Sequence, residues 1–233
     1  MTEPKRFYKT VSVEKTTDGF AILLDGRSAK TPARKVLAAP NEAVAELVAE
    51  EWAAQEETVT LTEMTATRHL TTALDRGTSE AAAWREEVLE FFRTDLLCYR
   101  AEAPDALAER QREIWDPYLA WAGRVHGVEL TPVAGVIAVE QSPAALAAAA
   151  RVLGEADAFD LIGLKTAAAL SGSGVLALAV WKGDDAPEAL FAAARLDEAF
   201  QAEKWGVDAE AAAREAGMRQ EFLCVAAYLR ALR

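Results

Sequence analysis

Residues 35–52, Lys35-Val-Leu-Ala-Ala-Pro-Asn41-Glu-Ala-Val-Ala-Glu-Leu-Val-Ala-Glu-Glu-Trp52, contain the point at which the chain changes its hydrophobic period. Before Asn41 the pattern is that of short strands. Phe7 to Glu14 is rich in aromatic and β-branched residues, Thr17-Asp18-Gly19 is a turn signal, and Phe20 to Leu24 returns as a second apolar run. Asp25-Gly26 marks another turn, and Ser28–Thr31 and Lys35–Ala38 add short strands separated by Pro32. After Asn41 the spacing is helical: Val44, Leu47, Val48 and Trp52 share one side, Glu42, Glu46 and Glu50 lie elsewhere, and the Asn41 side chain is placed to cap the first turn. The fold class is therefore α+β. A small antiparallel β-rich N-terminal part, residues 1–40 with a boundary that can extend to about residue 62, precedes a larger all-helical part, residues 41–233.

The helical part divides by its punctuation. A helix over Ala66–Arg76 is expected to stop at Gly77, with Thr78 or Ser79 capping the next, on which Trp84, Val88, Phe91 and Phe92 form a stripe. Pro104–His126 is expected to break at Asp116-Pro117, because proline has no amide donor and disfavours helix at the residue before it. Trp115, Tyr118, Leu119, Trp121 and Val125 would then cluster at the junction. Thr131–Glu140 reads as extended, and Ser142-Pro143 opens a helix to about Leu153. Leu161–Trp181 approaches the length of a membrane span, but Lys165 and Ser171-Gly-Ser-Gly174 interrupt it, so two buried helices around a turn are expected. A helix from Pro187 to Gly206 and a last one over Asp208–Leu232, presenting Met218, Phe222, Val225 and Leu229, complete the chain.

Composition narrows the function. A net charge of -12, with no local basic patch in this reading, disfavours nucleic acid and anionic membranes and favours a neutral or basic protein partner. The start of the chain shows no secretory leader, and Cys98 and Cys224 form no Cys-x-x-Cys motif; a cytoplasmic, bacterial protein with two buried thiols is expected. His69 and His126 are isolated, so no metal site is expected and each is read as a surface or capping histidine. Gly-x-Ser-x-Gly, the Walker pattern and the dinucleotide fingerprint are all absent, and no cofactor is expected. Paired acids such as Glu50-Glu51, Glu56-Glu57, Glu86-Glu87 and Asp184-Asp185 read as solvated faces. A cleft near Lys165 and Ser171–Gly174, with the lysine buried, is the alternative that would make the chain an enzyme or a small-molecule binder.

The sharpest feature is Arg195-Leu-Asp-Glu-Ala-Phe-Gln-Ala-Glu-Lys-Trp-Gly206. Read as part of one helix, it has an apolar stripe of Ala189, Ala192, Ala193, Leu196, Ala199 and Phe200. The opposite stripe carries Phe191, Arg195, Glu198, Ala202 and Trp205. Aromatic rings around a charged pair suit a contact surface, since aromatics and arginine dominate binding hot spots. The spacing of Arg195 and Glu198 fits an ordinary i,i+3 ion pair equally well.

Several stretches are collinear over nearly the whole chain: Leu24-Asp-Gly-Arg27 with Lys30-Thr-Pro32, Glu51-Trp52, Thr94-Asp-Leu-Leu-Cys-Tyr-Arg100, Trp115-Asp-Pro117 with Trp121, and Arg195-Leu-Asp-Glu198 with Gln201 and Lys204-Trp-Gly206. Together they resemble the ATP synthase assembly chaperone family that acts on the alpha subunit of the F-type ATPase catalytic head. The resemblance implies a protein without catalysis or cofactor that holds the unassembled alpha subunit until the beta subunit replaces it. The residues do not decide the oligomeric state; a monomer is expected. It also implies a functional acidic residue before the Trp-Gly pair, carried here to Glu198 with Asp197 as the neighbouring choice. Partner-binding residues are thus expected to be Glu198, Asp197, Arg195, Phe191 and Trp205. After Trp-Gly the chain departs from mitochondrial relatives, lacking their His-Asp pair and running alanine-rich from Ala209 to Arg214.

Overall fold

The computed structural model describes residues 4–135, 140–183, 185–206 and 208–233. Its N-terminal part is a four-stranded antiparallel sheet of β1 (Val11–Thr16), β2 (Gly19–Leu24), β3 (Arg27–Ser28) and β4 (Ala38–Ala39). β1 and β2 form the expected hairpin, with Val11 opposite Leu24 and Thr16 opposite Gly19. Gly19 has φ +121°, and a Cβ there would overlap the Ala39 carbonyl, so both its backbone and its surroundings require glycine. Alternation along β2 separates the faces: Ile22 and Leu24 enter the main core, while Ala21 and Leu23 pack with Ala38 in a small second cluster.

Asn41 caps α1 (Glu42–Ala53) as its sequence position predicts, its Oδ1 accepting from the Val44 amide at 2.9 Å. Its Nδ2 donates to the Ala231 carbonyl at 2.8 Å, which ties the start of the helical part to the end of the chain. α2 (Thr65–Arg93) is one helix of 29 residues, not two. Gly77 fails to end it because it serves as a crossing point. A Cβ at Gly77 would come within 2.6 Å of the Ala158 Cβ, at the start of α5 (Ala158–Ser171). α3 (Asp105–His126) likewise runs unbroken through Pro117. Trp115 and Leu119 bury their side chains on either side of the proline, so packing holds the helix where local preference would break it. The expected aromatic cluster is split: Trp115 and Leu119 are core, Tyr118 and Trp121 are half-buried, and Val125 is exposed.

Tyr99–Arg100 (β5) and Val133–Ala134 (β6) pair in parallel. Within the stretch expected to be extended, Thr131–Glu140, residues 136–139 lie outside the described residues. α4 (Pro143–Leu153), α5 and α6 (Gly174–Lys182) follow, the last two joined by the Ser-Gly turn as expected. α7 (Pro187–Ala194), α8 (Leu196–Trp205) and α9 (Ala209–Ala231) complete the helical layer. One connected core runs from Tyr8 and Ile22 in the N-terminal part to Phe222 and Tyr228 on α9. Among the described residues, no helix is long and apolar enough to cross a membrane.

His69 is not the surface or capping residue expected. It is 5% exposed, with Nδ1 2.6 Å from the Thr65 carbonyl, Nε2 2.9 Å from Thr166 Oγ1, and its ring against Tyr228. Burial holds its pKa below the usual histidine value. Both cysteines are free; Cys98 is buried, its thiol pushed up to about 12 by desolvation, while Cys224 is only half-buried.

Candidate functional site

The helix expected from Pro187 to Gly206 is broken at Arg195, which has φ -108° and ψ 18° and starts a new helix axis. The break redistributes both stripes. Phe191 turns inward: it is 4% exposed, with its ring 5.6 Å from that of Phe222, and so lies under the surface instead of on it. Ala193, Leu196 and Phe200 keep the core positions expected of them, but Ala189, Ala192 and Ala199 are exposed. A continuous 3.6-residue period cannot be projected across such a break.

Arg195, Glu198 and Trp205 do come together. With Ala211, Arg214 and Met218 of α9 they line a groove of about 340 Å³ between the two helices. Trp205, 78% exposed, stands at the end of α8, where Gly206 at φ +79° redirects the chain. Arg195 and Glu198 form a 2.7 Å ion pair at i,i+3 spacing, and Arg195 Nε has no hydrogen-bond partner. An indole this exposed leaves apolar area in water, and a bound partner would remove it.

Asp197 faces elsewhere. Its Oδ1 accepts from Gln111 Nε2 at 2.7 Å, and Gln111, fully buried, accepts the Ala101 amide at 2.8 Å through Oε1. Asp197 therefore locks α8 to α3. Further along α8, Glu203 pairs with Arg110 at 2.7 Å, and the Arg110 guanidinium lies over the Phe200 ring. That bond holds the Glu203 carboxyl below its usual range.

The alternative cleft near Lys165 and Ser171–Gly174 is closed by the protein itself. Lys165 pairs with Glu87 at 2.6 Å. Ser171 and Ser173 are buried. Ser173 Oγ accepts the Leu176 amide at 3.0 Å and donates to Asp95 Oδ1 at 2.8 Å, while Asp95 Oδ2 accepts the Val175 amide at 2.9 Å. The N-terminus of α6, where a phosphate would sit, is occupied by the chain's own carboxylate. Burial pushes the Asp95 carboxyl up to about 6.

Other short motifs are also structural. Asp25 Oδ1 accepts the Lys9 and Thr10 amides, each at 2.9 Å. Thr31 Oγ1 donates to Asp75 at 2.6 Å. Arg100 pairs with Asp116 at 2.7 Å and lies over the Trp115 ring. Glu51, expected on a solvated face, instead caps α2 from outside, accepting the Ala66 amide at 2.7 Å and the Thr67 amide and hydroxyl at 2.8 Å each. Of the Asp184-Asp185 pair, Asp184 lies outside the described residues and Asp185 accepts the Tyr118 hydroxyl at 2.9 Å.

The sequence profile of the ATP12 chaperone protein family matches residues 5–123. The chain belongs to the ATP12 chaperone family. Three solved structures agree with that assignment along the whole chain. Atu1473, described as a putative chaperone from Agrobacterium tumefaciens, is 43% identical with a TM-score of 0.94, covering 99% of this chain and 87% of that one. Atp12 from Paracoccus denitrificans is 36% identical with a TM-score of 0.92, covering 99% of each chain. An aspartate-to-lysine mutant of P. denitrificans Atp12p is 35% identical with a TM-score of 0.92 and full coverage of both chains. The resemblance to ATP synthase assembly chaperones read from the sequence is thus borne out at the level of the family.

In this ATP12 chaperone, the α9 wall of the groove was not foreseen, because the alanine-rich run Ala209–Arg214 hides which face Arg214 and Met218 share. The segment Arg27–Lys35 between β2 and β4 carries Arg27, Lys30, Arg34 and Lys35 with no carboxylate, and all four are exposed, so the acidic chain does have a local basic patch. Four cations within nine residues were legible in the sequence. Among the described residues, no cluster of His, Cys, Asp and Glu could hold a metal.

Proposed function

We propose that this ATP synthase assembly chaperone binds the unassembled alpha subunit of the F-type ATPase catalytic head through the α8–α9 groove, and releases it when the beta subunit takes its place. Glu198, Arg195 and Trp205 make the contact, Asp197 holds their helix to α3, and Phe191, buried against Phe222, anchors the preceding helix in the core. The supporting observation is the exposed Trp205 beside the Arg195–Glu198 pair in a shaped groove. A subunit destined for a ring exposes apolar interface before assembly and aggregates through it. Exchange needs only moderate affinity, which suits one aromatic anchor within a polar surround. The role needs no catalysis, and the proposed setting is the bacterial cytoplasm, with the chaperone a monomer. The division into residues 1–40, extendable to about 62, and 41–233 is likewise proposed, the second part carrying the groove.

Co-expression with the alpha subunit alone tests this. Wild type should keep alpha soluble and co-purify with it, whereas Glu198→Lys and Trp205→Ala, folded to the same melting temperature, should lose both effects. Failure of wild type to bind or protect alpha refutes the reading. Retention of both effects in the two variants refutes the site.

A further inference from the structure

We propose a second client-binding site: the cleft between the β3–β4 loop, α1 and α2 takes an extended acidic segment of the same client, seating one apolar side chain inside. This rests on the client-binding reading above.

The cleft, about 580 Å³, is large enough for the side chains of a short peptide segment. Its walls include Leu37, Trp52 and Ile162 on the apolar side and Lys30 and Arg68 on the charged side. Leu61 stands on its rim, 49% exposed, one of few large apolar side chains left in water.

Charge identifies the occupant. On a chain of net charge -12, the loop that supplies Lys30 holds four cations and no carboxylate. Three acids beside the cleft are already engaged. Asp75 accepts from Thr31 Oγ1 and the Ala33 amide, Glu51 from the first amides of α2, and Glu221 pairs with Arg68 at 3.1 Å. Among the described residues, Lys30 is exposed and makes no ion pair. The cleft thus combines apolar area with an uncompensated positive charge at Lys30. A segment carrying a carboxylate beside one apolar side chain is complementary to it on both counts.

Helix α9 reaches both the cleft wall and the α8–α9 groove. Arg214 and Met218 line that groove, and Glu221, the next residue of the same i, i+4, i+7 stripe of α9, holds Arg68 in the cleft wall. One client polypeptide can therefore follow α9 from one depression to the other, and two weak contacts on one client bind more tightly than either alone.

The test uses the full chain with benzoylphenylalanine, a photo-crosslinking residue, at position 61 or position 205, co-expressed with the alpha subunit. Adducts with alpha should form at both positions, and the alpha peptide captured at position 61 should contain Asp or Glu beside an apolar residue. Lys30→Glu should lower the position-61 adduct by about fivefold, as expected for reversing one interfacial charge. It should leave the position-205 adduct and the melting temperature unchanged, and Lys30→Arg should behave as wild type. An adduct at position 205 with none at 61, a non-acidic peptide at 61, or indifference to Lys30→Glu overturns the second site and leaves the groove standing. No adduct at either position overturns both.

Discussion

Asp95 and Ser173, 78 residues apart in sequence, share a 2.8 Å hydrogen bond at the buried start of α6. Asp95 also accepts the Leu97 and Val175 amides, so one carboxylate organises the turn after α2 and the N-terminus of α6. Desolvation nevertheless dominates and pushes its pKa up to about 6. The folded protein therefore holds this proton more tightly than the unfolded chain, where the value is 3.8. The sign follows: this group's contribution to stability falls as pH rises from about 4 to about 6 and is level above that. Asp95→Asn removes the titration, so the stability of wild type relative to the variant should decline across that window, by about 3 kcal/mol at most. His69, whose pKa is lowered, acts in the opposite sense in both proteins and cancels in the difference. Urea unfolding of both at pH 4, 5, 6 and 7 measures it, and a pH-independent difference would count against the assignment.

Two glycines in long helices should respond oppositely to alanine. At Gly217 in α9 an added Cβ meets nothing within 4 Å, so Gly217→Ala should stabilise by about 0.5–1 kcal/mol through helix propensity. At Gly77 the methyl would lie 2.6 Å from Ala158 Cβ, and α2 and α5 would have to separate. Gly77→Ala should destabilise by about 1–3 kcal/mol despite the same propensity gain. Thermal melts of the two variants decide; equal shifts would refute the crossing-point account of Gly77.

Glu51 caps a helix that begins fourteen residues after it, replacing the local side-chain cap that Met64 cannot supply. Glu51→Ala leaves the Ala66 and Thr67 amides without acceptors in a largely buried place, and should cost about 1–3 kcal/mol. Hydrogen exchange should show the loss in the first turn of α2, and protection there equal to wild type would contradict it.

These residues also show what a single sequence can and cannot reveal. The change of period at Asn41 and the Ser171–Gly174 turn were readable because capping and turn chemistry are local. Gly77 and Pro117 misled for the opposite reason: both are local helix breakers, and both are overridden by partners distant in sequence, Ala158 for one and the core around Trp115 for the other. Of the candidate site, the juxtaposition of Arg195, Glu198 and Trp205 is legible because an ion pair and an exposed aromatic leave a trace at helical spacing. Phe191 was misplaced because the axis changes at Arg195, a break that neither Gly nor Pro announces. The role of Glu51 was hidden among acids that are mostly solvated.

Asp197 and Glu198 are adjacent, both acidic and both in the first turn of α8, yet their surroundings assign them different work. Asp197 accepts from Gln111, which is buried and itself accepts the Ala101 amide, so a lysine there would face the Gln111 amide donor and break the link between α8 and α3. Leaving that buried group unmatched costs about 1–3 kcal/mol. Glu198 is half-exposed and, among the described residues, its carboxylate bonds only Arg195, a surface pair worth at most about 1 kcal/mol. Asp197→Lys should therefore lower both the melting temperature and alpha-subunit capture, and Asp197→Asn, which can still accept, should restore most of each. Glu198→Lys should leave the melting temperature within about 2 °C of wild type, as expected for losing so weak a pair, and abolish capture. Differential scanning fluorimetry beside a pull-down separates the cases. If Asp197→Lys loses capture at unchanged stability while Glu198→Lys captures normally, the contact belongs to Asp197, and the groove lined by Glu198 is not where the client sits.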